Sequence, residues 1–116
     1  MGKRVLVVDD HHDTVEILEQ YLAMEGHEVA SATTPEHALA IAEEFQPEIV
    51  ILDISMPNID GYELASHLRF KVEGSCVFIA ATGHGSQSHV AQSQRAGFKA
   101  HLTKPVDMSR LLAELA

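Results

Sequence analysis

The stretch VILDISMP, Val50 to Pro57, decides how this chain is read. Ile49, Val50, Ile51 and Leu52 form an apolar run that ends abruptly in Asp53. A carboxylate at the edge of a core is costly unless something pairs with it. Either Asp53 caps a following turn or helix, or the chain has placed a reactive acid at the end of a buried strand.

Outward from this run, short apolar segments alternate with stretches of helical period. The sequence predicts strands at RVLVV (4–8), HEVASA (27–32), EIVIL (48–52), CVFIAA (76–81) and KAHLT (99–103). Between them, apolar residues recur every three or four positions. Val15, Leu18 and Leu22 form one stripe, and Ala38, Ile41, Ala42 and Phe45 the next. Gly61, Leu64, Ala65 and Leu68 follow, and Met108, Leu111, Leu112 and Leu115 lie near the end. Thr34-Pro35 reads as an N-cap and first-turn proline, and Asp107 as the N-cap of the last helix. Gly26, Pro47 and Gly97 are stop signals. The helix predicted over 86–97 has a thin apolar face, so it is expected to be exposed and loosely held.

Five βα units imply a parallel sheet covered on both faces. The runs at 4–8, 48–52 and 76–81 are almost continuously apolar, as strands buried on both faces must be. Those at 27–32 and 99–103 mix in polar residues, as edge strands can. Edges at strands 2 and 5 are what the flavodoxin-like doubly wound order 2-1-3-4-5 requires. Right-handed crossovers then place helices on both sides, in one domain spanning 1–116.

In such a sheet, ligands bind beyond the carboxyl ends of the strands, at the topological switch point. Strand 1 ends in Asp9-Asp10, strand 3 in Asp53, strand 4 in Thr82 and strand 5 in Lys104-Pro105. Three carboxylates at one mouth repel each other and raise each other's pKa. A hard divalent cation offsets this, and oxygen donors suit Mg²⁺. Asp53 is then a candidate nucleophile for a phosphoryl group. Phosphoryl transfer rests mostly on positioning and electrostatics. Here Mg²⁺ takes one phosphoryl oxygen, the Lys104 charge a second, and the Thr82 hydroxyl donates to the third.

The composition agrees. The chain has 116 residues, enough for one domain, with a formal net charge of −9. That acidity argues against nucleic-acid or anionic-membrane partners, which want a basic patch. No apolar run approaches the roughly 20 residues of a membrane span. MGKRVLVVDD turns acidic too early for a signal peptide. The single cysteine, Cys76, suits a reducing compartment and reads as a structural thiol, so a cytoplasmic location is expected.

The motifs VLVVDD, VILDISMPNIDGYEL, AATG and KAHLTKPVD, each at a strand end, resemble the receiver domains of two-component response regulators. The resemblance covers the whole chain. It implies that Asp53 is the phospho-acceptor, served by a histidine kinase or a histidine phosphotransfer protein. It implies that Asp10 ligates Mg²⁺ directly, Asp9 mostly through water, and Ser55 through its carbonyl. Thr82 resembles the hydroxyl that moves onto the phosphoryl group, and Lys104 its charged partner, with a cis Lys104-Pro105 bond. Three residues before that lysine, where the family often has a tyrosine or phenylalanine that swings inward, stands His101. AGFKAHLTKPVD is similar to receivers attached to hybrid histidine kinases. Phosphorylation is expected to alter the 86–116 face, where a downstream protein partner would bind.

Competing readings are weaker. A haloacid-dehalogenase-type phosphatase wants a second acid two residues after its nucleophile, where this chain has Ser55. A flavin binder wants a phosphate-cradling loop after strand 1, and no Gly-rich phosphate loop occurs, so ATP is not the direct donor. A partner-binding pseudo-receiver would not need the full acid set. His11 and His12 are neighbours and diverge on a helix face, so they read as solvated helix-start residues rather than ligands. His27, His37, His67 and His89 show no metal spacing. Asp60-Gly61 reads as a structural turn.

Overall fold

The computed structural model describes residues 2–83 and 87–115, and of 87–90 the backbone only. Strands and helices alternate: β1 (Arg4–Val8), α1 (His12–Met24), β2 (Glu28–Ala32), α2 (Pro35–Phe45), β3 (Ile49–Asp53), α3 (Gly61–Lys71), β4 (Val77–Thr82), α4 (Gln87–Arg95), β5 (Ala100–Thr103) and α5 (Met108–Leu115). The strands form one parallel sheet in the order β2-β1-β3-β4-β5, as the strand composition predicts.

The strand boundaries differ from the sequence reading in one instructive way. β3 and β4 each run one residue further, and so include Asp53 and Thr82. Asp53 pairs in register with Ala81, and Thr82 with Thr103. Sheet hydrogen bonding therefore fixes the backbone of both residues.

Alternation along the strands sorts the core into two layers. Leu6, Val8, Val50, Leu52, Phe78 and Ala80 face α2 and α3, meeting Ala38, Ala42, Leu64, Ala65 and Leu68. Val5, Val7, Ile49, Ile51, Ile79 and Ala81 face α1 and α5, meeting Val15, Leu18, Leu22, Leu111 and Leu115. All of β3 is buried, which explains its unbroken apolar run. The edge strands β2 and β5 are only partly covered.

Local chemistry sets the helix ends. The Thr34 side chain accepts the His37 N–H at 3.2 Å, with Pro35 opening α2. Asp60 Oδ1 accepts the N–H groups of Tyr62 and Glu63, and Asp107 Oδ1 those of Ser109 and Arg110. Gly26 and Gly97 take positive φ, +91° and +87°, at the ends of α1 and α4. α2 ends differently, at Gln46 in the left-handed region, just before Pro47. The start of the predicted 86–97 helix, with Gly85 before it, lies outside the described residues. Of the described α4 side chains, Ser93 is buried while Gln92, Gln94 and Arg95 are exposed. Among the described residues no helix is long and apolar enough to cross a membrane.

Gly61 begins α3 against the loop that leaves β3. A Cβ built there would lie 2.7 Å from Ile54 Cα and 2.9 Å from Ile54 Cβ. The clash involves backbone, so the β3–α3 loop beside Asp53 would have to shift. Gly61→Ala is expected to lower stability by about 1–3 kcal/mol, read as a reduced urea midpoint. An unchanged midpoint would show that the close approach is not constraining.

Cys76 is half-buried, and its thiol is pushed up to about 11 by burial, against a smaller opposing effect of the Arg69 charge. Thiolate is the reactive form. At pH 8 a thiol reagent should label the folded protein on the order of a hundredfold more slowly than urea-unfolded chain. Equal rates would contradict the structural role of this thiol.

Candidate functional site

The carboxyl ends of β1, β3, β4 and β5 bring their terminal residues to one mouth. Asp9 directly follows β1, and its backbone N–H donates to Ala32 O at 3.2 Å, continuing the ladder. Ile54 N–H does the same to Ala81 O at 3.1 Å, just past Asp53. Lys104 follows β5, and its N–H donates to Thr82 O at 2.8 Å. The Lys104-Pro105 bond is cis.

Lys104 Nζ lies 2.7 Å from Asp9 Oδ2 and 3.0 Å from Asp53 Oδ2. Both carboxylates are buried, at 3% and 2% exposure. Partial burial works against the ammonium. The hydrogen bonds and charges of Asp9 and Asp53 outweigh it and hold the Lys104 pKa above the ordinary lysine value. Lys104 is therefore a fixed positive charge at neutral pH.

The other Asp53 oxygen, Oδ1, accepts the Ser55 N–H at 2.8 Å and the Ser55 hydroxyl at 2.6 Å. Asp53 is thus oriented at both oxygens. The sequence reading used only the Ser55 carbonyl; the hydroxyl contact was not foreseen, although a serine two residues after an acid is a common turn partner. Thr82 is 1% exposed at the end of β4.

Asp10 sits closer to solvent, yet its Oδ1 is buried and accepts no hydrogen bond from a described residue. His11 Nδ1 lies 3.2 Å from that oxygen and 3.2 Å from Asp9 Oδ1, and the His11 N–H donates to Asp9 Oδ1 at 3.0 Å. The expectation of a solvated helix-start histidine holds for exposure, since the side chain is 68% exposed. It does not hold for placement, because the ring nitrogen reaches both acids. Adjacent residues diverge within a helix, but His11 is the N-cap and lies in extended backbone. Its side chain can therefore turn back toward Asp9 and Asp10.

One ligand atom each from Asp9, Asp10, His11 and Asp53 can lie within 4.8 Å of the others. Three carboxylates face one ammonium, which leaves the mouth negative. The buried Asp10 oxygen, which accepts no hydrogen bond from a described residue, and the carboxylate-rich donor set fit a divalent cation such as Mg²⁺.

His101 lies on β5 opposite Ala80, two residues before Thr103, the partner of Thr82. Its Nδ1 is 2.8 Å from the hydroxyl of Ser93 on α4, and that hydroxyl is 3.2 Å from the Tyr62 hydroxyl on α3. Ser93 is 1% exposed. A polar chain thus crosses from β5 through α4 to α3, beside the edge-to-face rings of Tyr62, Phe98 and Phe78. The polar character of His101 was visible in sequence; Ser93 and Tyr62, in a helix reading as polar and a helix reading as apolar, were not.

Comparison with known proteins agrees with this arrangement. Residues 5–116 match the family model of the response regulator receiver domain. The chain is 34% identical to the chemotaxis protein CheY of Thermotoga maritima, over 99% of this chain and 96% of that protein. It is also 34% identical to part of the virulence sensor protein BvgS of Bordetella bronchiseptica, covering 97% of this chain but 10% of that protein. Among solved structures, a CheY-like receiver domain protein from Methanospirillum hungatei superposes with a TM-score of 0.86 at 32% identity, over 98% of this chain and 90% of that one. A response regulator from Burkholderia pseudomallei, with a phosphorylated aspartic acid, calcium ion and citrate, superposes at 0.89 with 26% identity, over 99% and 67%. A parallel sheet in this order, an acid-lined mouth at its switch point and a family match from end to end agree: the chain belongs to the response regulator receiver domains, the phospho-acceptor switches of two-component signalling.

Proposed function

We propose that Asp53 is the phospho-acceptor and that Asp9, Asp10, Asp53 and Ser55 hold the Mg²⁺ on which its phosphorylation depends. The observation that carries this reading is the two-sided fixation of Asp53 by Lys104 and Ser55 within a buried acidic mouth. A partner phosphohistidine supplies the phosphoryl group. The P–N bond of the donor breaks as a P–O bond forms at the Asp53 carboxylate, and the imidazole leaves. Bound Mg²⁺ supplies charge neutralisation for the phosphoryl oxygens.

The protein's own groups do the rest. Ser55 orients the carboxylate. Lys104, already charged, offers its ammonium to the incoming oxygens as Asp53 gives up its own negative charge. Thr82 donates its hydroxyl to another oxygen. The same groups, with water as acceptor, serve the return hydrolysis. An apolar groove lined by Ile17, Leu18, Pro105, Val106 and Met108 opens beside Lys104, and supports docking of a kinase or phosphotransfer helix next to Asp53. The output is a shift of the 86–116 face, passed from Thr82 to His101, whose bond to Ser93 ties β5 to α4. A cytoplasmic location follows from a kinase-served role.

Incubation with acetyl phosphate and Mg²⁺ should add a single phosphoryl mass, located on Asp53 by peptide mass spectrometry. Asp53→Asn and EDTA should each abolish it, while Asp10→Asn should abolish it without loss of stability, because one repelling charge is removed. Wild-type labelling of Asp53→Asn would overturn the assignment.

Ser93→Ala removes the tie between His101 and α4, at a cost of about 1 kcal/mol or somewhat more for a buried bond. The variant's amide spectrum should resemble, in residues 91–103, the spectrum of wild type carrying a beryllofluoride mimic on Asp53. Mimic-induced changes that cluster on α1 and spare 83–103 would refute this route.

A further inference from the structure

The receiver reading assigns the acidic mouth an oxygen-only donor set, and His11 has no part in it. Its ring is nevertheless the one imidazole among the described residues that could hold a metal ion at the mouth, where the Lys104 nitrogen is a charged ammonium. Nδ1 is 3.2 Å from Asp9 Oδ1 and 3.2 Å from Asp10 Oδ1. Donors that share an edge of an octahedron with bonds of about 2.1 Å lie roughly 3 Å apart. The nitrogen thus stands at the separation that two ligands of one ion require, beside a buried Asp10 oxygen that accepts no hydrogen bond from a described residue.

We propose that His11 adds an imidazole ligand to this site, so that it takes nitrogen-accepting divalent ions such as Co²⁺, Ni²⁺ or Zn²⁺ in preference to Mg²⁺. The proposal rests on the acidic mouth being the metal site. Imidazole suits Co²⁺, Ni²⁺ and Zn²⁺, whereas Mg²⁺ favours carboxylate and water oxygens. Carboxylates alone discriminate weakly among these ions, so a neighbouring nitrogen sets the preference. His11 fits the task in mobility as well as position. Its backbone is held by the bond to Asp9, while its ring is 68% exposed and Nδ1 would exchange its hydrogen bond with Asp9 Oδ1 for a bond to the ion. His12, the next residue, is not part of this cluster of donors.

The test is metal binding, read without phosphorylation. Calorimetry with CoCl₂ and with MgCl₂ is run on wild type, His11→Ala and Asp10→Asn, and for Co²⁺ the component displaced by excess Mg²⁺ is followed, which removes binding by surface histidines elsewhere. The proton spectrum of the Co²⁺ form should show strongly shifted signals of a ligating imidazole ring. Co²⁺ should bind wild type more tightly than Mg²⁺. His11→Ala should lose the shifted ring signals and at least roughly tenfold in Co²⁺ affinity, with Mg²⁺ affinity within about threefold of wild type. Co²⁺ affinity unchanged in His11→Ala, or ring signals that persist in it, would overturn the proposal while leaving the acidic site intact. Affinities for both ions unchanged in Asp10→Asn would instead overturn the reading of the mouth as the metal site.

Discussion

One ammonium holds the working end of this molecule together. Lys104 Nζ bridges Asp9 and Asp53, residues 95 and 51 positions away in the chain. Each carboxylate is nearly without solvent, and each would be costly alone. The sheet order makes the bridge feasible, because β1 and β3 are neighbours and β5 lies beyond β4 on the same side. The reciprocal is also true. Removing the ammonium would leave two buried acids facing each other, a situation worth about 3–5 kcal/mol for a broken buried pair. The mouth is therefore built under electrostatic tension that a cation relieves.

The residues proposed for the chemistry sit on sheet ends. Asp53 and Thr82 still pair in the ladder, so their backbones are as rigid as the core. The Ser55 contacts then fix the carboxylate of Asp53 itself. Little reorganisation is left for the phosphorylation proposed at Asp53, which is how a site dominated by charge gains most from a fixed environment. Gly61 extends the constraint outward, since the tight approach of α3 to Ile54 holds the loop that carries Ser55.

Much of this was legible in the residues. Unbroken apolar runs at 4–8, 48–52 and 76–81 announced central strands, because burial on both faces leaves no room for alternation. Acids, a hydroxyl and a lysine at the strand ends announced the mouth, because the doubly wound order fixes where those ends meet. The local caps at Thr34 and Asp107 were equally plain, whereas Asp60, legible only as a turn residue, also caps α3. What was not legible depends on side-chain direction. His11 reaches the acids only because the N-cap is extended rather than helical. Gln46 ends α2 in the left-handed region, where no glycine signalled it, and its amide ties the end of α2 to Lys71 O and the Glu73 N–H. Ser93 is buried in a helix whose composition reads as solvent-facing, because its hydroxyl meets His101 on β5.

The placement of Ser93 bears on how a phosphoryl signal could leave the mouth. A ligand moves a two-state equilibrium only by its differential affinity for the two states. An aromatic hydrocarbon ring at position 101 would face only packing costs on moving inward. His101 instead has a 2.8 Å contact with a buried hydroxyl. A net hydrogen bond is worth about 1 kcal/mol, which is roughly a fivefold bias toward the resting arrangement. Breaking it also strands the Ser93 hydroxyl unless Tyr62 continues to serve it, and the 3.2 Å Tyr62–Ser93 contact provides that partner. The Tyr62 link thus lowers the cost of breaking the His101–Ser93 contact in the switch proposed above. In the proposed switch, rotation of the His101 ring gives up its contact with Ser93 and with it a tie between β5 and α4.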